Sequence, residues 1–426
     1  MELKPGYKQT EVGVIPEDWD VAPITSLLQP GSGITYGVVQ PGPVVADGVL
    51  FIRGGDIYDG SIAEDNLRTI SAKVSRQYER TILRGGELLV SLVGYPGEAA
   101  IVPPHLAGGN IARQVAIARL DRSNDEVASY ICWFLRSDMG KKLLLKEAIG
   151  SAQKVINLRD ISRISLPVPE KEERRKVVSL LDDMDALLAS HEQLLDKKRN
   201  IKQAAMQDLL TGKRRLPGFE GEWQVKRLGD EIRDLEAGVS VRSTTDKDQL
   251  STGRYILKTS AVSQGQFSPT ERKEIISCDI SRAKTPIKQG DLIISRMNTP
   301  ALVGECGYSQ LDHPNLFLPD RLWRTAYRDP HAVSSRWLAY TLSTQHNRAR
   351  IKELATGTSG SMKNISKRAL LNLEIKWPSM EEQIAIAEML SEMDSDIDSL
   401  NDQLQKAQGI KQGMMQQLLT GKIRLK

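Results

Sequence analysis

The chain of 426 residues is poor in the residue types that build small chemical sites. Its three cysteines (Cys132, Cys278 and Cys306) stand far apart without CxxC spacing. That argues against a disulfide framework and for ordinary thiols of a reduced compartment. Its five histidines are scattered and form neither HExxH nor a Cys/His zinc pattern. No run approaches the roughly 20 apolar residues of a membrane span. The opening MELKPGYKQTEVG carries no apolar signal core. A soluble cytoplasmic protein is expected.

Nucleotide and catalytic motifs are also missing. The Gly212–Lys213 and Gly421–Lys422 pairs are not phosphate loops. In the first, Gln207 replaces the required earlier glycine and Arg214 the required Ser or Thr. There is no Gly-rich cofactor loop with an NPPY- or DPPF-type partner, and no Ser/His/Asp constellation. Pro319–Asp320 and Glu374-Ile375-Lys376 have nuclease-like residue types, but their separation is very long and Ile375 reads as strand core. No catalytic or metal site is expected. The net charge of +4 is a weak lean towards polyanions.

What the chain does have is a duplication. Ile201–Leu216 reads IKQAAMQDLLTGKRRL and Ile410–Leu425 reads IKQGMMQQLLTGKIRL, a displacement of 209 residues. The same shift pairs Lys154 with Lys363, Ile156 with Ile365 and Pro169 with Pro378. Earlier in each half the shift falls by a few residues. There Arg84–Ser91 resembles Lys288–Ser295, Phe51–Ile62 resembles Ile256–Phe267, and Trp19 in EDWDV matches Trp223 in GEWQV. A period near half the chain indicates two similar domains rather than a stacked array of short repeats.

Each half opens with short strands and Gly-rich turns, then a helical pattern over Asp125–Ala148 or Ser334–Ala355, which reads as α/β or α+β. A long helix follows each. Ile386, Leu390, Met393, Ile397, Leu400, Leu404, Ala407, Met414 and Leu418 recur at alternating steps of three and four, with Lys411 as the polar member. Val177, Leu181, Met184, Leu188, Leu195, Ala205 and Leu209 repeat this in the first copy, interrupted by His191, Lys198 and Lys202. This is a coiled-coil seam. The interruptions read as register-setting groups or side chains snorkelling at the seam's edge, or else as a face turned to a partner subunit. Ser379 before Glu382 predicts a capping box, and Gly212 and Gly421 predict left-handed helix ends. The expected segments are globular domains at 1–168 and 214–377, and helices at 169–213 and 378–426. By connectivity the two helices lie antiparallel, with a domain at each end and an approximate two-fold axis relating them. Each helix would be roughly 60 Å long at 1.5 Å per residue.

The halves diverge in polar loops rich in groups that donate to phosphates and read base edges. In the first these are Gly31–Gly37, Ser91–Gly97 and Asn110–Gln114, where the candidate DNA-contacting residues are Ser32, Thr35, Tyr36, Ser91, Tyr95, Asn110, Arg113 and Gln114, joined by Arg53. In the second they are Gly238–Thr245, Ser295–Pro300 and Asn315–Arg324, with candidates Ser240, Arg242, Arg296, Asn298, Thr299, Asn315 and Arg321, joined by Lys258. Lys154 and Lys363, at equivalent domain-to-helix joints, are candidate phosphate contacts or else solvated or salt-bridged.

Three groups of residues carry a family resemblance: Gly6–Val21 (GYKQTEVGVIPEDWDV), the joints Gly150–Pro169 and Gly360–Gln383, and both MQxLLTGKxRL copies. In order and duplication, over essentially the whole chain, they resemble the specificity subunit of a type I restriction–modification enzyme. The resemblance implies two target-recognition domains, each reading half of a bipartite site in double-stranded DNA. The helices would set the spacer and dock two modification (methyltransferase) subunits. S-adenosylmethionine, ATP and Mg would belong to the modification and motor-nuclease partners, with no cofactor on this chain. Two other classes remain: an assembly scaffold that binds only protein, and a nuclease with an unrecognised metal site.

Overall fold

The computed structural model describes residues 5–121, 125–145, 155–245, 252–357 and 362–426. The chain folds into two compact units, one of Met1–Gln193 with Asp402–Lys426 and one of Leu194–Asn401.

Unit 1 contains β1 (Thr35–Tyr36), β2 (Val49–Ile52), β3 (Arg68–Ile70), β4 (Leu88–Ser91), β5 (Ala99–Ile101), β6 (Asn110–Ile111) and β7 (Val115–Ala118). Every residue of β4 and β7 is buried. Their continuous apolar runs suit strands flanked on both sides, and they occupy the middle of a four-stranded antiparallel sheet ordered β5-β4-β7-β1. A second sheet, β6-β2-β3, pairs β6 with β2 in parallel and β2 with β3 antiparallel.

Unit 2 repeats this plan with β8 (Ile232–Ala237), β9 (Tyr255–Leu257), β10 (Arg272–Ile275), β11 (Leu292–Ser295), β12 (Cys306–Tyr308), β13 (His313–Phe317) and β14 (Leu322–Tyr327). The order β12-β11-β14-β8 matches the first sheet strand for strand. The second sheet keeps β13 parallel to β9 and β9 antiparallel to β10, then gains the short strands Ser243–Thr244 and Pro286–Ile287 at its edges. The common plan has a shared steric requirement. A Cβ on Gly37, just after β1, would lie 1.9 Å from the Ile111 carbonyl oxygen. One on Gly238, just after β8, would lie 1.6 Å from that of Leu318. Only glycine admits so close a backbone approach.

The helical stretches expected over Asp125–Ala148 and Ser334–Ala355 each break in two. Helix α1 (Asp125–Arg136) is followed by Asp138–Leu145, and the helix Ser335–Ser343 by Gln345–Glu353. The Ser137 hydroxyl accepts from Gly140 N, and the Thr344 hydroxyl from Asn347 N. A side-chain oxygen that captures a backbone N–H starts a new helix and so competes with continuing the old one.

The long helices are α2 (Lys171–Leu209) and, after α3 (Ser335–Ser343), α4 (Met380–Leu418). Both end alike. Thr211 and Thr420 donate 2.6 Å hydrogen bonds to the carbonyls of Gln207 and Gln416, and Gly212 and Gly421 take φ of 71° and 68°. At the start of α4, Glu382 N donates to the Ser379 hydroxyl, but the Glu382 carboxylate turns to other partners, so the capping box is only half formed.

In unit 1, Val177, Val178 and Leu181 of α2 and Met415, Leu418 and Leu419 of the α4 end join the main apolar core with α1. In unit 2, Leu209 and Leu210 join Ile386, Ala387 and Leu390 in the corresponding core. Within unit 1, Asp185 pairs with Lys411 and Glu173 with Arg424. Within unit 2, Arg199 bonds Asn401 and Lys202 pairs with Asp394. In each unit the numbering rises on one helix as it falls on the other, so the segments are antiparallel. Among the seam residues, Leu181, Leu188, Leu195, Leu209, Leu390 and Leu418 are buried, and Met184, Met393, Ile397, Leu400 and Leu404 are half-buried. No described helix is long and apolar enough to cross a membrane.

Candidate nucleic-acid interface

In unit 1 several loops are tied together by backbone hydrogen bonds. Arg113 N donates to Val38 O (2.9 Å), Ala112 N to Ile52 O (2.8 Å) and Leu92 N to Gln114 O (2.8 Å). These bonds bring Tyr36, Arg53 and the Arg113–Gln114 turn beside the end of β4. Arg113 and Gln114 are exposed, and Tyr36 keeps 48 % of its surface. The Arg53 guanidinium forks onto Asp56 at 2.7 and 3.0 Å, which holds the arginine more firmly charged while its side chain stays 44 % exposed. Tyr95 is exposed and meets Tyr58, a residue not singled out from the sequence, edge to face at 6.4 Å. Thr35 is half-buried on β1. The half-buried Ser32 donates to the Gln29 carbonyl at 2.6 Å.

In unit 2, Arg296 N donates to Arg321 O, and Ile365 N donates to Arg296 O. Asn298 pairs in register with Lys363. Arg296, Thr299, Arg321 and Lys363 are thereby gathered at the equivalent end of the sheet. The Arg296 guanidinium lies 5.5 Å over the Trp323 ring, and Lys363 Nζ donates to Gly357 O at 2.7 Å. Ser240 is exposed. Arg242 is exposed but committed: its backbone N–H reaches Asp279 Oδ2 at 2.8 Å and its guanidinium lies 3.5 Å away. Those contacts hold the Asp279 carboxyl below its ordinary range, the backbone bond most of all. Lys258 lies 3.5 Å from Glu271, and the exposed Asn315 sits on β13. Lys258 directly follows β9, so both are placed by the second sheet and not by the strands that carry the Arg296 group. Lys154 lies outside the described residues.

Three predicted contacts are corrected. Ser91 and Asn110 are fully buried, and Asn298 is 7 % exposed. Ser91 donates to Val93 O. Asn110 accepts from the Thr81 hydroxyl and from Ile111 N, and donates to Ser75 O and Oγ. Asn298 accepts from Thr299 N and donates to Ser295 Oγ. Their polar atoms have been spent on shaping loops, which is the ordinary fate of buried polar side chains. Their side chains turn into their own loops rather than outwards.

The sequence reading also missed a duplicated clasp. In unit 1, Arg424 places Nε and Nη2 each 2.8 Å from the Glu173 carboxylate, and Trp19 Nε1 donates to the same carboxylate at 2.9 Å. In unit 2, Arg215 Nη2 lies 2.6 Å from Glu382, and Trp223 Nε1 donates to it at 3.0 Å. The arginines lie 5.7 and 5.6 Å over the two tryptophans. The signal lies in the sequence: Arg215 and Arg424, and Glu173 and Glu382, each stand at the 209-residue shift, and Trp19 in EDWDV matches Trp223 in GEWQV. The repeated TGKxRL thus places an arginine that locks the end of one helix to the start of the other within each unit. A second repeated contact sits deeper. Lys411 lies 2.6 Å from Asp185 and near the Trp133 ring, while Lys202 pairs with Asp394 under Tyr340. The lysines that interrupt the seam are therefore satisfied inside their own unit.

Among the described residues no group of three His, Cys, Asp or Glu could hold a metal ion. Glu374 instead lies on a strand paired with Gln224–Arg227, 3.5 Å from Arg227.

Comparison with known proteins agrees with this arrangement. The model of the type I restriction modification DNA specificity domain matches residues 47–197 and 220–408, one match in each half. The chain is 30% identical over 204 residues to the type I restriction enzyme EcoBI specificity subunit of Escherichia coli, a match spanning 47% of this chain and 42% of that protein. It is 24% identical to the EcoKI specificity subunit of Escherichia coli strain K12, over 89% of this chain and 83% of that one. The fold is similar to that of the type I restriction–modification S subunit from M. genitalium, with a TM-score of 0.57 at 12% identity over 98% of both chains. With the family model matched in both duplicated units, the chain belongs to the type I restriction–modification DNA specificity subunits.

Proposed function

We propose that each unit reads one half of a bipartite double-stranded DNA site. Unit 1 does so through Tyr36, Arg53, Tyr95, Arg113 and Gln114, supported by Ser32 and Thr35. Unit 2 does so through Ser240, Arg242, Lys258, Arg296, Thr299, Asn315, Arg321 and Lys363, with Lys154 as the joint lysine of unit 1. The observation that carries this reading is the contrast within the duplication. One strand order is built twice, yet the loops at equivalent sheet ends expose different donors and acceptors. A pair of readers for two different sequences requires that contrast.

In this reading, 1–168 and 214–377 are the target-recognition domains. Segments 169–213 and 378–426 form an antiparallel coiled coil with approximate two-fold symmetry that sets the spacer and docks two modification subunits. The chain itself is non-catalytic, cytoplasmic and without a cofactor. Modification subunits would bring S-adenosylmethionine, and restriction subunits would bring ATP and Mg.

The test is methylome sequencing of cells that carry this chain with its modification partner, before and after its deletion. The expected result is a bipartite methyladenine motif that disappears with the gene. Unchanged methylation would sink the assignment. Inserting or deleting one heptad at equivalent positions of both helices should then change the spacer and leave the half-sequences intact.

A further inference from the structure

Unit 1 holds a cleft of about 360 Å³ between β1 and the segment Arg76–Thr81, beside the loops already described. Thr35 and Tyr36 form one wall, and Arg76, Gln77, Glu79 and Arg80 stand along the other. These last four side chains are exposed, and none has a hydrogen-bond or ion-pair partner among the described residues. The segment that carries them is nonetheless held firmly from behind. Asn110 donates to Ser75 O and accepts from the Thr81 hydroxyl. The Arg119 guanidinium donates to the carbonyls of Arg80 (2.6 Å) and Ile82 (2.8 Å). Asn110 and Arg119 thus occupy the carbonyls of Ser75, Arg80 and Ile82 and leave the side chains of the wall for the cleft.

The corresponding segment of unit 2, between β10 and β11, is used differently. There Asp279 is buried and gathers Arg242 and Arg282 at 3.5 and 3.3 Å. In unit 2 a buried carboxylate thus holds two arginines, whereas Arg76, Glu79 and Arg80 of unit 1 have no side-chain partner among the described residues.

We propose that the unit 1 cleft is a base-reading subsite for the major-groove edge of a G·C pair, with Arg76 and Arg80 as donors to guanine and Glu79 as acceptor from the cytosine amino group. This rests on the reading of unit 1 as a DNA-recognition domain. A phosphate offers only acceptors and leaves Glu79 without a donor, whereas a G·C edge presents guanine O6 and N7 acceptors beside the cytosine N4 donor. Tyr36, 48 % exposed, stands on the opposite wall.

The test uses the full chain with its modification partner in a host free of other adenine methylation, comparing the wild type with Arg76→Ala/Arg80→Ala and with Glu79→Ala. All three positions are exposed, so the fold should survive. The expected wild-type motif has a G·C pair in one half-site. In the double variant preference for that pair should fall about tenfold or more, with the other half-site unchanged. Glu79→Ala should relax the same position. An unchanged motif in the variants, or a uniform drop in methylation with every base preference kept, would overturn the subsite. If the wild type itself yields no bipartite motif, the failure lies with the recognition reading on which the subsite rests.

Discussion

The two clasps are built from the same three residue types, yet they are not equally provisioned. In unit 1, Arg424 bonds Glu173 and also forks onto Asp18, at 2.8 Å to each Asp18 oxygen. In unit 2, Arg215 has one carboxylate among the described residues, Glu382, and otherwise donates to the carbonyls of Gly221 and Glu220. Glu382 is also the more deeply buried of the two glutamates, at 1 % exposure against 5 %. Duplication preserved the contact that joins helix start to helix end, while the accessory partners were free to drift. The recognition loops show the same freedom on a larger scale: equivalent sheet ends carry Arg113 and Gln114 in one unit and Arg321 with Lys363 in the other. A frame whose energetics rest on a few buried pairs leaves the exposed loops open to change.

That comparison can be broken most directly at the glutamates. Glu382→Ala leaves Arg215 and the Trp223 indole N–H without their shared acceptor and should cost about 3 kcal/mol. Glu173→Ala should cost roughly 1 kcal/mol less, because Asp18 still accepts from Arg424. Urea unfolding, with hydrogen exchange followed at the starts of α2 and α4, separates the two. A larger loss from Glu173→Ala would show that the second carboxylate does not share the load.

Next in size are the exposed arginines at the sheet ends. Neither Arg113 nor Arg321 has a side-chain partner among the described residues. Each alanine variant should weaken binding of the assembled complex to its cognate site about tenfold. Arg113→Ala should relax only the half-site read by unit 1, and Arg321→Ala only the other. Competition binding against sites mutated in one half tests the division, and crossed effects would defeat it.

Acid should separate the units more mildly. The Arg424 guanidinium beside Asp18 holds that carboxyl at about 2, against burial, which pulls the other way. Burial pushes Glu173 upward, but Arg424, the Trp19 N–H and Leu425 N more than offset it and leave its pKa lowered. A carboxyl depressed in the folded state contributes stability that is fully present above its unfolded value near 4 and lost as pH falls through the folded value. Protection of the α2 start should therefore decline between about pH 4 and 2. Asp18→Asn should flatten the part of that decline due to Asp18, a difference that hydrogen exchange across the pH series would show.

Most of the frame was legible from the sequence because periodicity and duplication report backbone requirements. The seam steps, the glycine helix ends and the buried runs of β4 and β11 each follow from local patterning. Loop chemistry was less legible. Asn110, Ser91 and Asn298 have the residue types of base readers, but type does not say whether a side chain points out or back into the loop. Arg76, Gln77 and Arg80 are hidden for the opposite reason: they lie in a stretch without motif or repeat, and only the tertiary approach of β1 gives them a cleft. The clasp fell between these cases. Its residues obey the repeat, but their contacts join positions more than 150 apart, which no local pattern reveals.

Among the seam lysines, whose role the sequence leaves divided between setting register and facing a partner, lies the smallest expected effect, that of Lys198→Ala. Lys202 is 16 % exposed in its side chain, pairs with Asp394 at 19 %, and lies 5.5 Å over the Tyr340 ring, whose hydroxyl donates to the same aspartate at 2.6 Å. Lys198 reaches Asp396 at 2.7 Å, but the two side chains remain 40 % and 59 % exposed. Solvent screening leaves such an exposed pair worth about 0.5 kcal/mol or less. Lys202→Ala should cost about 1–2 kcal/mol, because it leaves a half-buried carboxylate short of its cation and removes the contact with the tyrosine ring. Lys198→Ala should barely move the urea midpoint of the chain on its own. A large loss from Lys198→Ala would mean that the outer pair, not the inner one, sets how the two helices meet in unit 2.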